Sequence, residues 1–217
     1  MNKLLITTAA AALLATSAFA TDLPNKKKAP LPTPAPVAAA PAAPASVDSL
    51  SVQYGQDLGT NFGAKVDDAY QVSYKHSLGA GFSVGGLAAT TQVSGANLKQ
   101  NLEVRAGYAL PAVYSVTLSG KVGVGERFVD SGNFPYYAAY GNADYAVGNG
   151  LTINAVGYRF RNAIDASTYS YQSHQLSTGI TYDITPAYSV SAKIARSFDS
   201  AYVATGDSVT GALTVKF

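Results

Sequence analysis

The chain has 217 residues, with 15 Lys and Arg against 13 Asp and Glu and with no cysteine. The near balance of charge gives no basic surface of the kind that nucleic acid requires, so we expect no nucleic-acid partner. Without cysteine no disulfide can stabilise an exported domain, which leaves packing or a membrane to do so.

Residues 1–20 form the first predicted element. Lys3 supplies a positive start, an Ala- and Thr-rich apolar stretch follows, and Ala18-Phe19-Ala20 has the small residues of a cleavage site. The pattern predicts a signal peptide cleaved after Ala20 and disfavours an uncleaved anchor. The rest of the chain has no run of about 18 apolar residues, so the sequence predicts no transmembrane helix after the signal peptide.

Residues 21–46 form a Pro- and Ala-rich segment that contains seven of the ten prolines. This composition cannot build a core and favours extended polyproline II conformations, which predicts a disordered periplasmic linker. Its basic run, Lys26, Lys27 and Lys28, has two interpretations. The composition favours a solvated tether, and the alternative is contact with an anionic envelope polymer such as peptidoglycan or with lipid head groups.

Residues 47–217 are rich in Tyr, Val, Thr, Ser and Gly, and apolar and polar residues alternate along successive segments. Alternation with a period of two between turn residues predicts strands. The predicted strands are ten, at residues 47–55, 67–76, 82–93, 99–110, 115–128, 136–147, 151–162, 170–184, 188–199 and 207–217. A count of eight is the alternative if two segments are misassigned.

The connections between these strands alternate in length. Those after strands 2, 4, 6 and 8 are tight, and those after the odd-numbered strands are polar and mostly longer. Short turns on one side and longer loops on the other are typical of outer-membrane barrels. Pro111, Pro135 and Pro186 are all expected in connections, where no ladder hydrogen bond is lost.

The two faces of the strands and the positions of the aromatic residues decide between a soluble sandwich and a membrane barrel. In strand 4, Leu102 and Val104 lie on one face, and Glu103 and Arg105 lie on the other. One predicted aromatic ring comprises Tyr74, Phe82, Tyr108, Tyr114, Tyr145, Tyr182, Tyr188 and Phe217. The opposite ring comprises Phe128, Phe134, Tyr136, Tyr137, Phe160, Tyr169, Tyr171, Phe198 and Tyr202. Aromatic rings that flank an aliphatic band are typical of membrane interfaces, so we expect an all-β, transmembrane, up-and-down antiparallel barrel in contact with outer-membrane lipid.

Both ends of the mature chain carry short motifs. Ala20-Thr-Asp-Leu-Pro24 spans its predicted start, and the apolar alternation of the last strand runs through Val209, Leu213 and Val215 to a terminal Phe217. These stretches and the Tyr/Gly-rich barrel pattern resemble the small porin-family, opacity-type outer-membrane proteins of Gram-negative bacteria. The resemblance implies a monomer in the bacterial outer membrane with periplasmic termini, whose last strand is a signal for the barrel-assembly machinery.

Seven charged residues are expected on the lumenal face: Lys75, Glu103, Arg105, Lys121, Arg127, Asp144 and Lys193. Eight strands leave room for side chains alone and sixteen or more leave a channel, so ten strands favour a network of paired charges in a mostly filled interior. The alternative is a conducting lumen, in which the excess of Lys and Arg predicts weak anion preference.

Catalysis is disfavoured by the pattern of titratable residues. His76 lies at a periplasmic turn, and His174 has no carboxylate at an orienting distance, which argues against a lipid A deacylase. An omptin-like protease requires grouped acids at the outer rim, but those here are scattered one to a loop, at Asp57, Asp130, Asp165, Asp199 and Asp207. We expect no enzyme activity, no metal and no cofactor.

Three basic residues on strands 7, 8 and 9 form a separate candidate site. Arg159, His174 and Arg196 each lie eight residues from a periplasmic strand end, which is on the order of 20 Å along a tilted strand. Parity places His174 and Arg196 on the lipid face, and Arg159 with them unless a bulge near Ala155 reverses its register. Contact with lipopolysaccharide phosphates is one interpretation and ordinary snorkelling is the other.

The sequence leaves three functional hypotheses. The first is a non-catalytic envelope protein with a structural or interaction role. The second is a small, weakly anion-preferring diffusion channel, and the third is an outer-leaflet enzyme that acts on lipid A or peptides. A soluble all-β exported domain is the alternative at the level of class.

Overall fold

The computed structural model describes residues 48–93, 98–130 and 132–217. The predicted signal peptide (1–20) and linker (21–46), with its three lysines, lie outside the described residues, as does most of the connection after strand 3.

Ten antiparallel strands form a closed barrel in which each strand pairs with its chain neighbours and β1 pairs with β10. The strands are β1 (Ser49–Leu58), β2 (Lys65–Gly79), β3 (Phe82–Val93), β4 (Leu98–Ala109), β5 (Val116–Val129), β6 (Gly132–Gly148), β7 (Leu151–Ala163), β8 (Gln172–Asp183), β9 (Tyr188–Phe198) and β10 (Ala204–Lys216). The predicted all-β up-and-down barrel of ten strands is confirmed, and the eight-strand alternative is wrong. None of the described segments forms a helix long and apolar enough to cross a bilayer.

The two ends of the barrel differ in their connections. At the end where β1 begins and β10 ends, called here the terminal end, Asp48 and Phe217 exchange backbone hydrogen bonds of 2.9 Å. The β6–β7 turn at this end is Asn149-Gly150, with φ angles of 51° and 78°. Positive φ at both central residues matches the twist of a two-residue hairpin and explains this Asn-Gly pair. The opposite end, called the loop end, carries the eight-residue β7–β8 connection at residues 164–171.

The β5–β6 connection corrects one expectation. Pro135, expected in a long loop, lies inside β6 opposite Glu126, and residues 130–131 alone join the two strands. Pro135 cannot donate a ladder hydrogen bond, but its carbonyl oxygen accepts one of 3.0 Å from the backbone N–H of Ile164. The hairpin therefore extends past the proline near its tip.

The outward faces of the strands are apolar and exposed. Val104 is 67% exposed and Val122 is 63% exposed, whereas few apolar side chains are buried. A surface of this kind is unfavourable in water and favourable against lipid tails. The polar face of each strand turns inward, which inverts the arrangement of a water-soluble sandwich.

The aromatic rings are confirmed at one end and revised at the other. At the terminal end Phe82 and Tyr108 are exposed, with ring centroids 4.6 Å apart. At the loop end the strand register points Phe134 and Tyr136 into the lumen, because they pair with the inward positions Arg127 and Gly125. Tyr171 also contacts lumenal side chains. These three aromatic residues lie inside the barrel and do not contribute to the predicted aromatic ring at the membrane interface of the loop end.

Candidate functional site: the barrel lumen

The register places all seven predicted lumenal charges on the inward face: Lys75, Glu103, Arg105, Lys121, Arg127, Asp144 and Lys193. The sequence reasoning missed five further inward groups: Lys99, Tyr136, Tyr140, Arg161 and Tyr171. Parity along β4 and β6 is the signal that could have found Lys99, Tyr136 and Tyr140. Arg161 lies beyond the bulge of β7, and Tyr171 lies in the β7–β8 connection, so strand parity does not place these two.

Glu103 is the centre of the lumenal network, and none of its side chain is exposed. Its Oε1 accepts hydrogen bonds of 2.5 Å from Arg105 Nε and from the Tyr140 hydroxyl. Its Oε2 accepts a 2.7 Å bond from the Tyr136 hydroxyl and a 3.1 Å bond from Arg161 Nη2. Four donors from β4, β6 and β7 therefore stabilise one carboxylate, which offsets the cost of burying the charge.

The arginines of the network also stack on tyrosine rings. The guanidinium carbons of Arg105 and Arg161 lie 4.6 Å and 5.2 Å from the ring centroids of Tyr140 and Tyr136. Cation–π contact adds attraction that is strongest when the groups are desolvated. Each arginine is therefore held by a carboxylate oxygen and by a ring face.

A second cluster surrounds Arg127 nearer the loop end. Its Nη1 donates 3.3 Å hydrogen bonds to Asn101 Oδ1 and to the Tyr171 hydroxyl, and its guanidinium lies 4.8 Å from the Tyr171 ring centroid. Tyr171 packs in turn against Tyr136, with centroids 6.2 Å apart. The two clusters are therefore continuous.

Two glycines of β5 make room for this network. A Cβ at Gly123 would lie 2.9 Å from Glu103 Oε1. One at Gly125 would overlap the backbone carbonyl oxygen of Leu102 and lie 2.9 Å from the Tyr136 hydroxyl oxygen. Real Cβ contacts are longer than this, so a larger residue would displace the carboxylate at the first position and the β4 backbone and the ring at the second. The network therefore requires glycine at both positions.

The inward side chains divide the lumen into two walls. Strands β4–β7 contribute the large groups of the network, and we call this the large-residue wall. Strands β8–β10 and β1–β3 contribute mostly Ser, Thr, Ala, Gly and Gln, such as Ser51, Ser191 and Ala212, and we call this the small-residue wall. A cavity of about 640 Å³ lies between them and is lined by residues of all ten strands.

Arg159 faces the lumen and therefore does not belong to the predicted group of three basic residues on the lipid face. A bulge at Ala155 shifts the register between Asn154 and Gly157, and Arg159 then pairs with the inward residues Tyr140 and Gln175. Arg159 lines the cavity. The expectation that it shares the lipid face with the other two is wrong, and the bulge considered in the sequence analysis is the reason.

His174 lies on the outer surface under a cover of aromatic side chains. It is 4% exposed, and its ring lies 4.5 Å from that of Tyr202 and 5.1 Å from that of Phe160, between centroids. The Tyr158 hydroxyl lies 2.6 Å from its Nδ1. The imidazole therefore already has polar and apolar partners.

Arg196 also lies on the outer surface, near the loop end. Its Nε and Nη2 donate hydrogen bonds of 2.7 Å and 2.9 Å to the two carboxylate oxygens of Asp207. The backbone N–H of Phe62 donates a 2.8 Å bond to the same carboxylate and ties the β1–β2 connection to it. Contact of His174 and Arg196 with lipopolysaccharide stays a prediction, and both groups already have partners within the barrel.

The residues weighed for catalysis do not converge. Ser173 lies on the lumenal face and His174 on the outer face of the same strand. Asp165 and Asp199 bind backbone N–H groups of their own connections. The described part of the chain contains no group of three or more His, Asp or Glu side chains placed to hold a metal ion.

The proposed assembly residues lie along the outer face of β10 and at its end. Val209, Leu213 and Phe217 are exposed there. Their role as an assembly signal, together with Val215, stays a prediction.

Comparison with known proteins supports the fold. No protein-family model matches the chain, and no curated protein matches it. An outer membrane channel from Pseudomonas putida F1 is similar in structure, with a TM-score of 0.54, 10% identity, and 81% of this chain and 97% of that chain covered. The NanC porin (TM-score 0.46, 12% identity, 77% and 100% covered) and the outer membrane protease OmpT from Escherichia coli (TM-score 0.42, 10% identity, 80% and 97% covered) are more distant matches. At these identities the likeness concerns the fold alone, and the chain is a ten-stranded β-barrel of the outer-membrane type.

Proposed function

We propose that this protein is a small diffusion channel of the outer membrane that prefers anions. The sequence alone ranked this function second, behind a non-catalytic structural role. The observation that carries the proposal is the cavity of about 640 Å³ along the small-residue wall, inside a barrel whose outer face is apolar.

The size of the cavity supports passage of small solutes. Cavities that hold small molecules in proteins span roughly 300–1,000 Å³, and this one falls within that range. Ten strands give a lumen between the filled interior of eight-stranded barrels and the open channel of porins. Because most of the large side chains come from one wall, space is left along the other.

The charge of the lining supports anion preference. The cationic lining residues are Lys99, Arg105, Lys121, Arg127, Arg159, Arg161 and Lys193, of which Arg105 and Arg161 are paired with Glu103. The acidic lining residues are Asp57, Asp67 and Asp207, and Asp207 is already paired with Arg196 outside the barrel. Asp144 is an acidic neighbour of Lys121 and Lys193 on the lumenal face, but neither lysine makes a hydrogen bond or salt bridge to another described side chain. Their charges are therefore available to attract anions from solution.

Single-channel recording of the refolded chain, residues 21–217, in a planar bilayer tests the proposal. We expect ohmic current steps. In a KCl gradient, we expect a reversal potential displaced from zero towards the equilibrium potential of chloride. Lys193→Glu reverses a lumenal charge and should reduce or invert the selectivity. Lys65→Glu, at an exposed position beside Asp68, is the matched control and should leave the selectivity unchanged.

A silent bilayer would contradict the proposal if the same sample shows the heat-modifiable gel shift of a folded barrel. In that case the Glu103 network closes the lumen, and the structural or interaction role becomes the better account. Cation preference in the wild-type channel would also contradict the proposal.

The orientation belongs to the same proposal. We place the terminal end in the periplasm and the β7–β8 connection outside the cell, because the longer connections of such barrels are extracellular. Ser170→Cys should then react with a membrane-impermeant thiol reagent on intact cells, and Ala112→Cys at the other end should not. The reverse pattern would overturn this orientation.

A further inference from the structure

Arg159 differs from the other arginines of the lumen because it has no partner among the described side chains. Arg105, Arg127 and Arg161 each donate hydrogen bonds to side chains that the structure describes. The Nε of Arg159 is shielded from solvent and makes no hydrogen bond. Arg159 is also one of the residues that line the cavity.

The surroundings of Arg159 make its lack of a hydrogen-bond partner unfavourable in free energy. Its strand neighbours on the lumenal face are Tyr140 and Gln175, and Arg161 lies two residues along the same face. Asp57 lines the same cavity and attracts Arg159 electrostatically, but it forms no salt bridge with it. The Glu103 carboxylate is already shared by Arg105, Arg161 and two tyrosines. An ionised guanidinium removed from bulk water and placed next to like charges is unfavourable unless an anion approaches it.

A guanidinium is suited to one class of ligand. Its planar fork of N–H donors matches the two oxygens of a carboxylate or phosphate group and forms short, charge-assisted hydrogen bonds with them. Lys121 and Lys193 line the same cavity and add positive potential without partners of their own. Ser191 and Ala212 of the small-residue wall line the same cavity, whose volume of about 640 Å³ accommodates the remainder of a small solute.

We propose that Arg159 is the centre of an oxyanion-binding site in the lumen, which takes the carboxylate or phosphate group of a small solute. This inference deepens the proposed channel function, because it names the chemical class that the lumen retains. The alternative is that water alone solvates Arg159, in which case small oxyanions have no specific affinity for the barrel.

Calorimetric titration of the folded barrel in detergent tests the site without any need for conduction. The probes are inorganic phosphate and succinate, each titrated into the wild type and three variants. Arg159→Gln should weaken binding of both probes about tenfold or more, the loss expected for one charge-assisted pair. Arg159→Lys keeps the charge but loses the fork, so it should recover part of the affinity.

Lys75→Gln is the matched control within the lumen. Lys75 faces inward on β2, where it pairs with Ser49 and Gly85, and it is not among the residues that line the cavity. Its loss should change the affinity by less than about twofold. An equal loss in Lys75→Gln and Arg159→Gln would overturn the proposal, because it would show a diffuse charge effect and not a site.

The outcomes also separate this site from the channel function. Binding that depends on Arg159 in a barrel that does not conduct would retain the site and reject the channel. A conducting barrel that binds neither phosphate nor succinate, or that binds them equally well after Arg159→Gln, would retain the channel and reject the site.

Discussion

The large-residue wall and the small-residue wall enclose the same lumen and stabilise it in different ways. On β4–β7, Glu103 accepts hydrogen bonds from two arginines and two tyrosines, and little space is left between them. On β8–β10 and β1–β3, short side chains such as Ser191 and Ala212 leave the cavity open. A ten-stranded barrel can therefore be filled with side chains on one side and leave open space on the other. The strand number alone does not decide between a filled and a conducting interior.

The largest effect is expected at the centre of the large-residue wall. Glu103→Gln removes the only carboxylate bound to Arg105 and Arg161 among the described residues, which should lower the free energy of unfolding by about 3 kcal/mol. Urea unfolding in lipid vesicles measures the change. Glu126→Gln, on the outer face of the adjacent strand, is the control and should change it by less than about 0.5 kcal/mol. Equal effects would show that the network does not stabilise the barrel.

The next prediction concerns the small-residue wall. Ser191→Tyr places a large side chain in the cavity and should reduce the single-channel current several-fold without loss of the folded gel form. Val190→Tyr puts the same side chain on the outer face of the same strand and should leave the current unchanged. If both variants conduct like the wild type, the path does not follow this wall.

Two adjacent tyrosines of β6 allow a finer comparison of the inner and outer faces. Tyr136→Phe removes a buried hydroxyl that donates to Glu103, and the expected loss of stability is about 1–2 kcal/mol. Tyr137→Phe removes an exposed hydroxyl that accepts a bond from Asn162 and should cost less than about 0.5 kcal/mol. The same unfolding measurement decides, and a larger loss for Tyr137→Phe would contradict the assignment of the two faces.

The smallest effect concerns the β7–β8 connection at the loop end. Hydrogen bonds from Ser167 and Thr168 lower the pKa of Asp165 to about 2. Because its pKa lies below the ordinary value of about 4, the carboxylate orders this connection above pH 4. That order is lost as the pH falls through 2. Hydrogen exchange at the amides of Ser167 and Thr168 should show this change in the wild type. Asp165→Ala should exchange rapidly at every pH, and slow exchange in this variant would disprove the role of the carboxylate.

The strands and their inward faces could be read from the sequence because side chains alternate with a period of two. All seven lumenal charges follow from that period alone. Parity failed for Arg159 because a single extra residue, Ala155, reverses every later side chain of β7. A bulge of this kind depends on pairing with β6 and β8, which one strand's pattern does not contain.

The interior aromatic residues were missed for a different reason. Phe134 and Tyr136 were assigned to the outer ring from their distance along the strand, although their parity matches that of Asp144. The sequence shows that residues 123 and 125 are glycines, but it does not show that they leave space for the side chains of the network. That they lie beside Glu103 and under Tyr136 follows from the strand register. Which side chains of the lumen bind one another could therefore be established only from the folded barrel.

The most direct test of an open path along the small-residue wall uses the absence of cysteine from the chain. Ser191→Cys introduces one thiol into the cavity, and a negatively charged methanethiosulfonate reagent is added during single-channel recording. We expect an abrupt, stable loss of most of the current, and no change for Val190→Cys on the outer face. Full labelling of Ser191→Cys, shown by mass spectrometry, without any change in current would contradict a conducting path along this wall.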